Sequence, residues 1–307
     1  MSAHTSSAEK QQKLLQFRQT LKETVESGKH FSEDLENIHQ SLQAKEVLDN
    51  ALTLGGCHPS NGLFNDAVPN PIAGHEVSKE YRTKMADWMV EVCTSFKCST
   101  RTYFLAVQFF DKYLTHIKHA GKTLQNKDVH CVGVTAMYSA SKYEDIFPLH
   151  SKIVSEKIAH KAITAKDILK KEAEFLRLFD FEVDFVTHYD FYQTYAAKLE
   201  REMPKNVCKN QDKFVKLICE MGLVLTKMSI QNNDFTKHSQ SIVVIASFYA
   251  ATAFLKHSKA YDPAETSKFC SEARKAIFNM VENDLNNQTS LFKTQTFKSQ
   301  LEDKLKQ

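Results

Sequence analysis

From residue 78 to residue 179, apolar side chains recur at three- and four-residue steps in one stretch after another. No pair of short alternating runs flanks a tight-turn signal, so hairpins are not expected. Such a pattern restricts the chain to helices packed on helices. The spacing predicts helices over 78–95 and 100–119, the second with Tyr103, Val107, Phe110, Leu114 and Ile117 on one stripe. A third is predicted over 126–143, capped by Asn126. Its Gly133, Ala136, Ser139 and Ala140 would let neighbours approach on several sides, making it the central, most buried helix. Pro148 should start a short fourth helix. Thr164-Ala165-Lys166-Asp167 reads as a capping box opening a fifth that runs to about Phe179.

Upstream, residues 1–8 look disordered, and helix-compatible stretches run over about 9–24 and 32–54. Gly55, Gly56, Gly62 and Gly74, with Pro59, Pro69 and Pro71, mark a long loop and the main boundary of the chain. The start is polar and lacks the apolar core of a secretory signal, and no run of 18 apolar residues exists. The expectation is a protein inside the cell with no membrane partner. Seven widely spaced cysteines, none in a C-x-x-C pair, are read as reduced thiols, and no zinc spacing occurs. A net charge of +3 with few arginines gives little reason to expect nucleic acid.

The helical pattern also repeats. Ala136-Met137-Tyr138-Ser139-Ala140 is echoed by Ala246-Ser247-Phe248-Tyr249-Ala250, and at the same offset Phe104–Leu114 falls on Phe214–Val224. Two tandem copies of a five-helix unit is the economical reading. Lys142 of the first copy has Thr252 as its counterpart, so only the first copy carries the charges.

Four segments give the pattern an identity: Tyr81–Cys93, Phe104–Leu114, Ala140-Ser141-Lys142-Tyr143-Glu144-Asp145 and Ile168–Leu176. In that order and spacing they resemble a cyclin box, the helical domain by which cyclins hold and activate a protein kinase. The resemblance implies an all-α protein of tandem five-helix cyclin folds, an N-terminal cyclin box plus a degenerate second copy, with an N-terminal helical extension. The expected division is 1–75 extension, 76–184 cyclin box, 185–285 second fold and 286–307 tail.

The resemblance also assigns roles. Lys142 and Glu172 would bond the backbone before the kinase's regulatory helix, with Tyr143 and Leu176 adding apolar contact. Arg82 and Asp111 resemble the family's internal ion pair. Tyr81, Met85, Trp88 and Glu91 share one helix face and, with His130, resemble a docking groove for Arg-x-Leu segments of substrates or inhibitors. Lys84 stands there where the family is usually apolar, and His130 where glutamine is frequent, implying an altered motif preference. Arg18 and Leu21 match the core of a destruction box. Neither catalytic residue, metal ligand nor cofactor is implied.

The expected partner is a cyclin-dependent protein kinase, and the expected location nucleus and cytoplasm. Met89-Val90-Glu91-Val92-Cys93 followed by Cys98 is similar to D-type cyclins, and Glu33-Asp34-Leu35 to the entry helix of mitotic ones, so the subtype stays open. Two alternatives are a transcription-type cyclin and a DNA-binding general transcription factor of the same double fold. An enzyme fits poorly: no Gly-rich phosphate loop, no G-x-S-x-G and no zinc signature occurs.

Overall fold

The computed structural model describes residues 38, 40–42 and 70–291, with side chains up to 280. Residues 38 and 40–42 are helical and belong to a unit, 1–42, separate from 43–307. The Arg18–Leu21 tetrapeptide, most of the N-terminal helical stretches and the glycine- and proline-containing loop up to Pro69 lie outside the described residues.

The first helices are α1 (Lys79–Phe96), α2 (Thr100–His119) and α3 (Asn126–Glu144). A short α4 (Ser151–Ile153) continues as a π-helical turn over Val154–Ile158, followed by α5 (Ala165–Leu178). Four long helices come next: α6 (His188–Glu202), α7 (Gln211–Gln231), α8 (Gln240–Lys256) and α9 (Pro263–Leu291). A single 3-10 turn at Asn233–Phe235 separates α7 from α8. No strand occurs among the described residues, only an isolated bridge between Glu76 and Gln125.

Local chemistry sets the helix ends. Ser78 and Ser99 cap α1 and α2 by accepting from the backbone N–H groups of Tyr81 and Thr102, and Thr164 caps α5 through Asp167. The cap of α3 is Gln125 and not the expected Asn126, because Gln125 and Asp128 satisfy each other's backbone N–H groups. Asn126 instead accepts from the Ser78 N–H at 3.1 Å and so ties the start of α3 to the start of α1. Pro148 does not open the fourth helix. His150 caps it, and the Leu149 N–H donates to the Ser141 hydroxyl at 2.9 Å.

The central position expected for α3 is shared. Residues 132–138 of α3 are buried without interruption, yet α2 is buried along nearly its whole length, from Thr102 to Ile117. Aromatic bulk explains the difference: Tyr103, Phe104, Phe109, Phe110 and Tyr113 fill the core from α2, while the small residues of α3 admit neighbours. At Gly133 α3 approaches α1 so closely that an added β-carbon would force the Met85 side chain to move. Tyr113 stacks on Phe175 of α5 at 4.3 Å and donates to Glu174 at 2.8 Å.

Helices recur in α6 to α9, and burial at the offset repeats in part: Met137 and Tyr138 are buried, as are Ser247 and Phe248. Ala136 is buried and its expected echo Ala246 is exposed. Thr252, the expected counterpart of Lys142, is buried, and its hydroxyl accepts from Arg274 of α9 at 2.8 Å. The second set thus joins its central and last helices through a covered polar bridge.

Arg82 joins the two sets. Its guanidinium is 1% exposed and donates to Asp111 of α2 from Nε at 2.9 Å and Nη2 at 2.6 Å. Nη1 donates to the carbonyls of Ile230 and Gln231, the last two residues of α7, at 3.1 and 3.2 Å. Those carbonyls have no partner further along their own helix and carry the negative end of its dipole. Arg101 makes a second link, pairing with Asp190 of α6 and with Glu144 of α3 at 3.5 Å.

Asp145 fastens the corner between α1 and α2 to the end of α3. One oxygen accepts from the Ser99 N–H at 2.9 Å and the Thr102 hydroxyl at 2.7 Å, the other from the Ser141 hydroxyl at 2.8 Å. Partial burial works to raise this carboxyl, but the hydrogen bonds from Thr102, Ser99 and Ser141 outweigh it and hold it below the usual range.

Two expectations follow from these contacts. Replacing Arg82 with leucine leaves Asp111 without its partner and two carbonyls unmet, a loss of about 3–5 kcal/mol in urea unfolding. Asp111→Asn, which keeps an acceptor, should cost less. Two groups contribute to the pH dependence in different windows. Burial, helped by the Arg82 charge, pushes the His188 imidazole down to about 3, so the unfolded chain binds its proton first and stability falls from pH 6.5 downwards. The Asp145 contribution is complete above its unfolded value, 3.8, and is lost only below it. Urea midpoints at pH 7 and pH 5 should differ in the native chain and differ less in His188→Phe, the remainder coming from His116 and His130, which are also lowered by burial.

Candidate functional site

The end of α3 and the first turns of α5 lie side by side, and their charges meet. Lys142 donates from Nζ to both Glu172 oxygens, at 3.0 and 3.1 Å. The lysine side chain is 45% exposed and lies 5.2 Å from the Tyr138 ring centre, while the Glu172 side chain is 10% exposed. The Ser139 hydroxyl donates to the same carboxylate at 3.4 Å. These two residues had been expected to bond an outside backbone, and here they neutralise each other. With one partner half in water, such a pair contributes only about 0–1 kcal/mol, so exchanging it for other bonds costs little.

Exposed large apolar side chains occur on the same elements as the pair. Tyr143 is 50% exposed beside Lys142, and Leu169, one turn before Glu172 on α5, is 45% exposed. Leu176, one turn after Glu172, is half-buried. The bend that follows α3 presents Ile146 at 90% and Phe147 at 92% exposure, and Ile153 at the end of α4 is 40% exposed. Ile146, Phe147, Ile153 and Leu169 were missed in the sequence. The available signal was two large apolar residues set between an acidic pair and Pro148, where a solvated turn would carry polar ones.

This surface has a rigid support. Ser141, inside α3, both donates to Asp145 and accepts from the Leu149 N–H, so it holds the two ends of the bend carrying Ile146 and Phe147. Phe175 beneath α5 stacks on Tyr113. The bend is therefore a short exposed arch on two anchored feet.

The second set of sequence-expected residues lies on α1. Tyr81 and Glu91 are exposed, and Trp88 is half-buried with its ring edge-on to His130 at 5.8 Å. Met85 is 8% exposed and lies against Gly133, beneath the face and not on it. Lys84 is exposed, with its ammonium 5.9 Å from the Tyr81 ring centre. Partial burial, with His160 nearby, lowers the pKa of the His130 imidazole. Arg82 and Asp111 stand back to back with this face, in the interior. Among the described residues no cluster of His, Cys, Asp or Glu is arranged to hold a metal ion, and no helix is long and apolar enough to cross a membrane.

Comparison with known proteins bears on the same region. Residues 66–184, which contain α1 to α5, match the family model of the cyclin N-terminal domain. Cyclin-A1 of Homo sapiens is 29% identical over 178 residues, covering 57% of this chain and 34% of the relative. Cyclin-A3-2 of Oryza sativa subsp. japonica is 28% identical over 177 residues, covering 57% and 42%. The G2/mitotic-specific cyclin-B of Emericella nidulans is 26% identical over 196 residues, covering 63% and 37%. In each case the match spans less than half of the relative's length. Among solved structures, a viral cyclin from herpesvirus saimiri is similar with a TM-score of 0.49 and 16% identity, over 69% of this chain and 86% of that one. The domain formed by α1 to α5 thus matches the cyclin N-terminal domain, and the chain is similar to A- and B-type cyclins over 57–63% of its length.

Proposed function

We propose that the chain is the regulatory subunit of a cyclin-dependent protein kinase in the cell cycle, holding the kinase through the surface around Lys142 and Glu172. The observation that carries the reading is this ion pair, on elements that also expose large apolar side chains, in a domain matching the cyclin N-terminal domain. When a partner docks, the lysine turns to a carbonyl of the kinase and the carboxylate to an N–H, each bond strengthened as water leaves. Before docking, the two charges satisfy one another. Ile146, Phe147, Leu169 and Tyr143 supply the apolar area.

The regulatory effect is a population shift. A kinase on its own keeps its regulatory helix turned outward, with the glutamate that pairs the ATP-binding lysine misplaced. A surface fitting only the inward position changes the balance, and moving 1:99 to 99:1 takes about 5.5 kcal/mol of differential binding. An interface of about 2,000 Å² with a few desolvated anchors supplies that. The chain contributes shape and contacts, with no reaction of its own. The α1 face of Tyr81, Trp88 and Glu91 belongs to the same reading as a narrower substrate-docking strip, since Met85 is covered. In this reading α6 to α9 form the second, degenerate fold, and the boundary near residue 184 divides the two.

A panel of purified cyclin-dependent kinases, titrated with the chain by calorimetry and assayed on a histone-like substrate, tests this. At least one kinase should bind and gain activity. Lys142→Ala with Glu172→Ala should weaken that binding by about 2 kcal/mol or more, roughly thirtyfold, with unchanged helicity. Equal binding and activation by the double variant would remove the proposed role of the pair.

A further inference from the structure

Cys93 and Cys98 take no part in the proposed kinase contact, yet the end of α1 brings them together. Lys97 adopts a left-handed backbone, φ 57°, and its N–H turns back to the Cys93 carbonyl. The Cys98 N–H reaches the same carbonyl at 3.0 Å. In a helix end of this kind the side chains at these two places touch each other, and apolar residues ordinarily fill both. Here both are thiols, and each side chain lies close enough to shift the other's ionisation. With Cys98 N 3.0 Å from Cys93 O, covalent geometry keeps the two α-carbons within about 7 Å, the reach of a disulfide.

The surroundings make the two sulfurs unequal. Cys93 is 9% exposed and faces Lys227 of α7, while Cys98 is half-buried at the corner before α2, where the Asp145 carboxyl faces it. We infer that Cys93 and Cys98 form a reversible oxidative modification site, at which a peroxide converts the dithiol to a disulfide closing the corner between α1 and α2.

Cys98 is the more accessible of the two, and interaction with Cys93 holds its thiol below the usual range, while the same interaction and burial push the Cys93 thiol up. Cys98 is therefore the sulfur that attacks. Its thiolate displaces hydroxide from hydrogen peroxide, giving a sulfenic acid, and a proton converts the hydroxide to water. The Cys93 sulfur then attacks the sulfenic sulfur, its proton leaves with the hydroxyl as a second water, and the S–S bond forms. Two thiols lose two electrons in all, and one peroxide is reduced to two waters.

Trypsin provides a direct readout, because Lys97 lies between the two cysteines. The full chain is treated with graded hydrogen peroxide, quenched with an alkylating agent and digested without reductant. The linked peptides Met85–Lys97 and Cys98–Arg101 should appear at lower peroxide than modification of Cys131, Cys208, Cys219 or Cys270. Free thiols should fall by two from the seven of the reduced chain, and dithiothreitol should restore both. Cys98→Ser, checked for helicity, should lose the link and keep its remaining thiols at the same dose. Cys93→Ala should accumulate a Cys98 sulfenic acid trapped by dimedone. Prior oxidation of another cysteine, or passage of Cys98 to sulfinic acid without the linked peptides, would overturn the inference.

Discussion

A guanidinium with nearly no access to water organises this molecule. Arg82 carries a full charge into the interior, where it is tolerated because both edges of its fork are met: Asp111 on one and the final carbonyls of α7 on the other. A lysine could supply the charge but not these directions. The bond set fixes α1 against α2 and both against the end of α7, so the two helix sets become one body. Lys79 with Asp234 and Gln231 with Asp87 add outer links along the same seam, and their exposure makes them minor.

With the interior fixed, the outer edge of the first set can be specialised. Asp145 serves as a hub for the Ser99 N–H and for the Thr102 and Ser141 hydroxyls, and Ser141 in turn supports Leu149. The arch bearing Ile146 and Phe147 is thus held at its feet while its crown stays in water. Large apolar groups so exposed weaken solubility, and the proposed kinase contact would cover them. Lys142 and Glu172 add directional bonds to the same surface without leaving a buried carboxylate unmet in the free chain.

The helices were readable because their signals are local. Apolar period and Ser or Thr caps placed α2 at its observed ends and α5 to within a residue. The misplaced signals needed partners distant in sequence. Asn126 bonds the backbone of Ser78 in preference to capping α3, and Met85 is covered because Gly133 lets α3 close over it. Arg82 and Asp111 were paired by resemblance alone. That α7 would offer two carbonyls to the same guanidinium had no trace in the sequence, since main-chain acceptors leave no residue signature. The echo of Ala136–Ala140 in 246–250 holds at the buried Ser247 and Phe248 but not at Ala246, which is exposed.

The central claim is that the kinase-facing surface consists of the end of α3, the arch after it and the outer face of α5. Hydrogen–deuterium exchange of the full chain, with and without a kinase that it binds, addresses this most directly. The account predicts slowed exchange in 142–153 and 165–176, with the backbone of α8 unchanged. Protection confined to α6 to α9, with the arch exchanging as in the free chain, would contradict it.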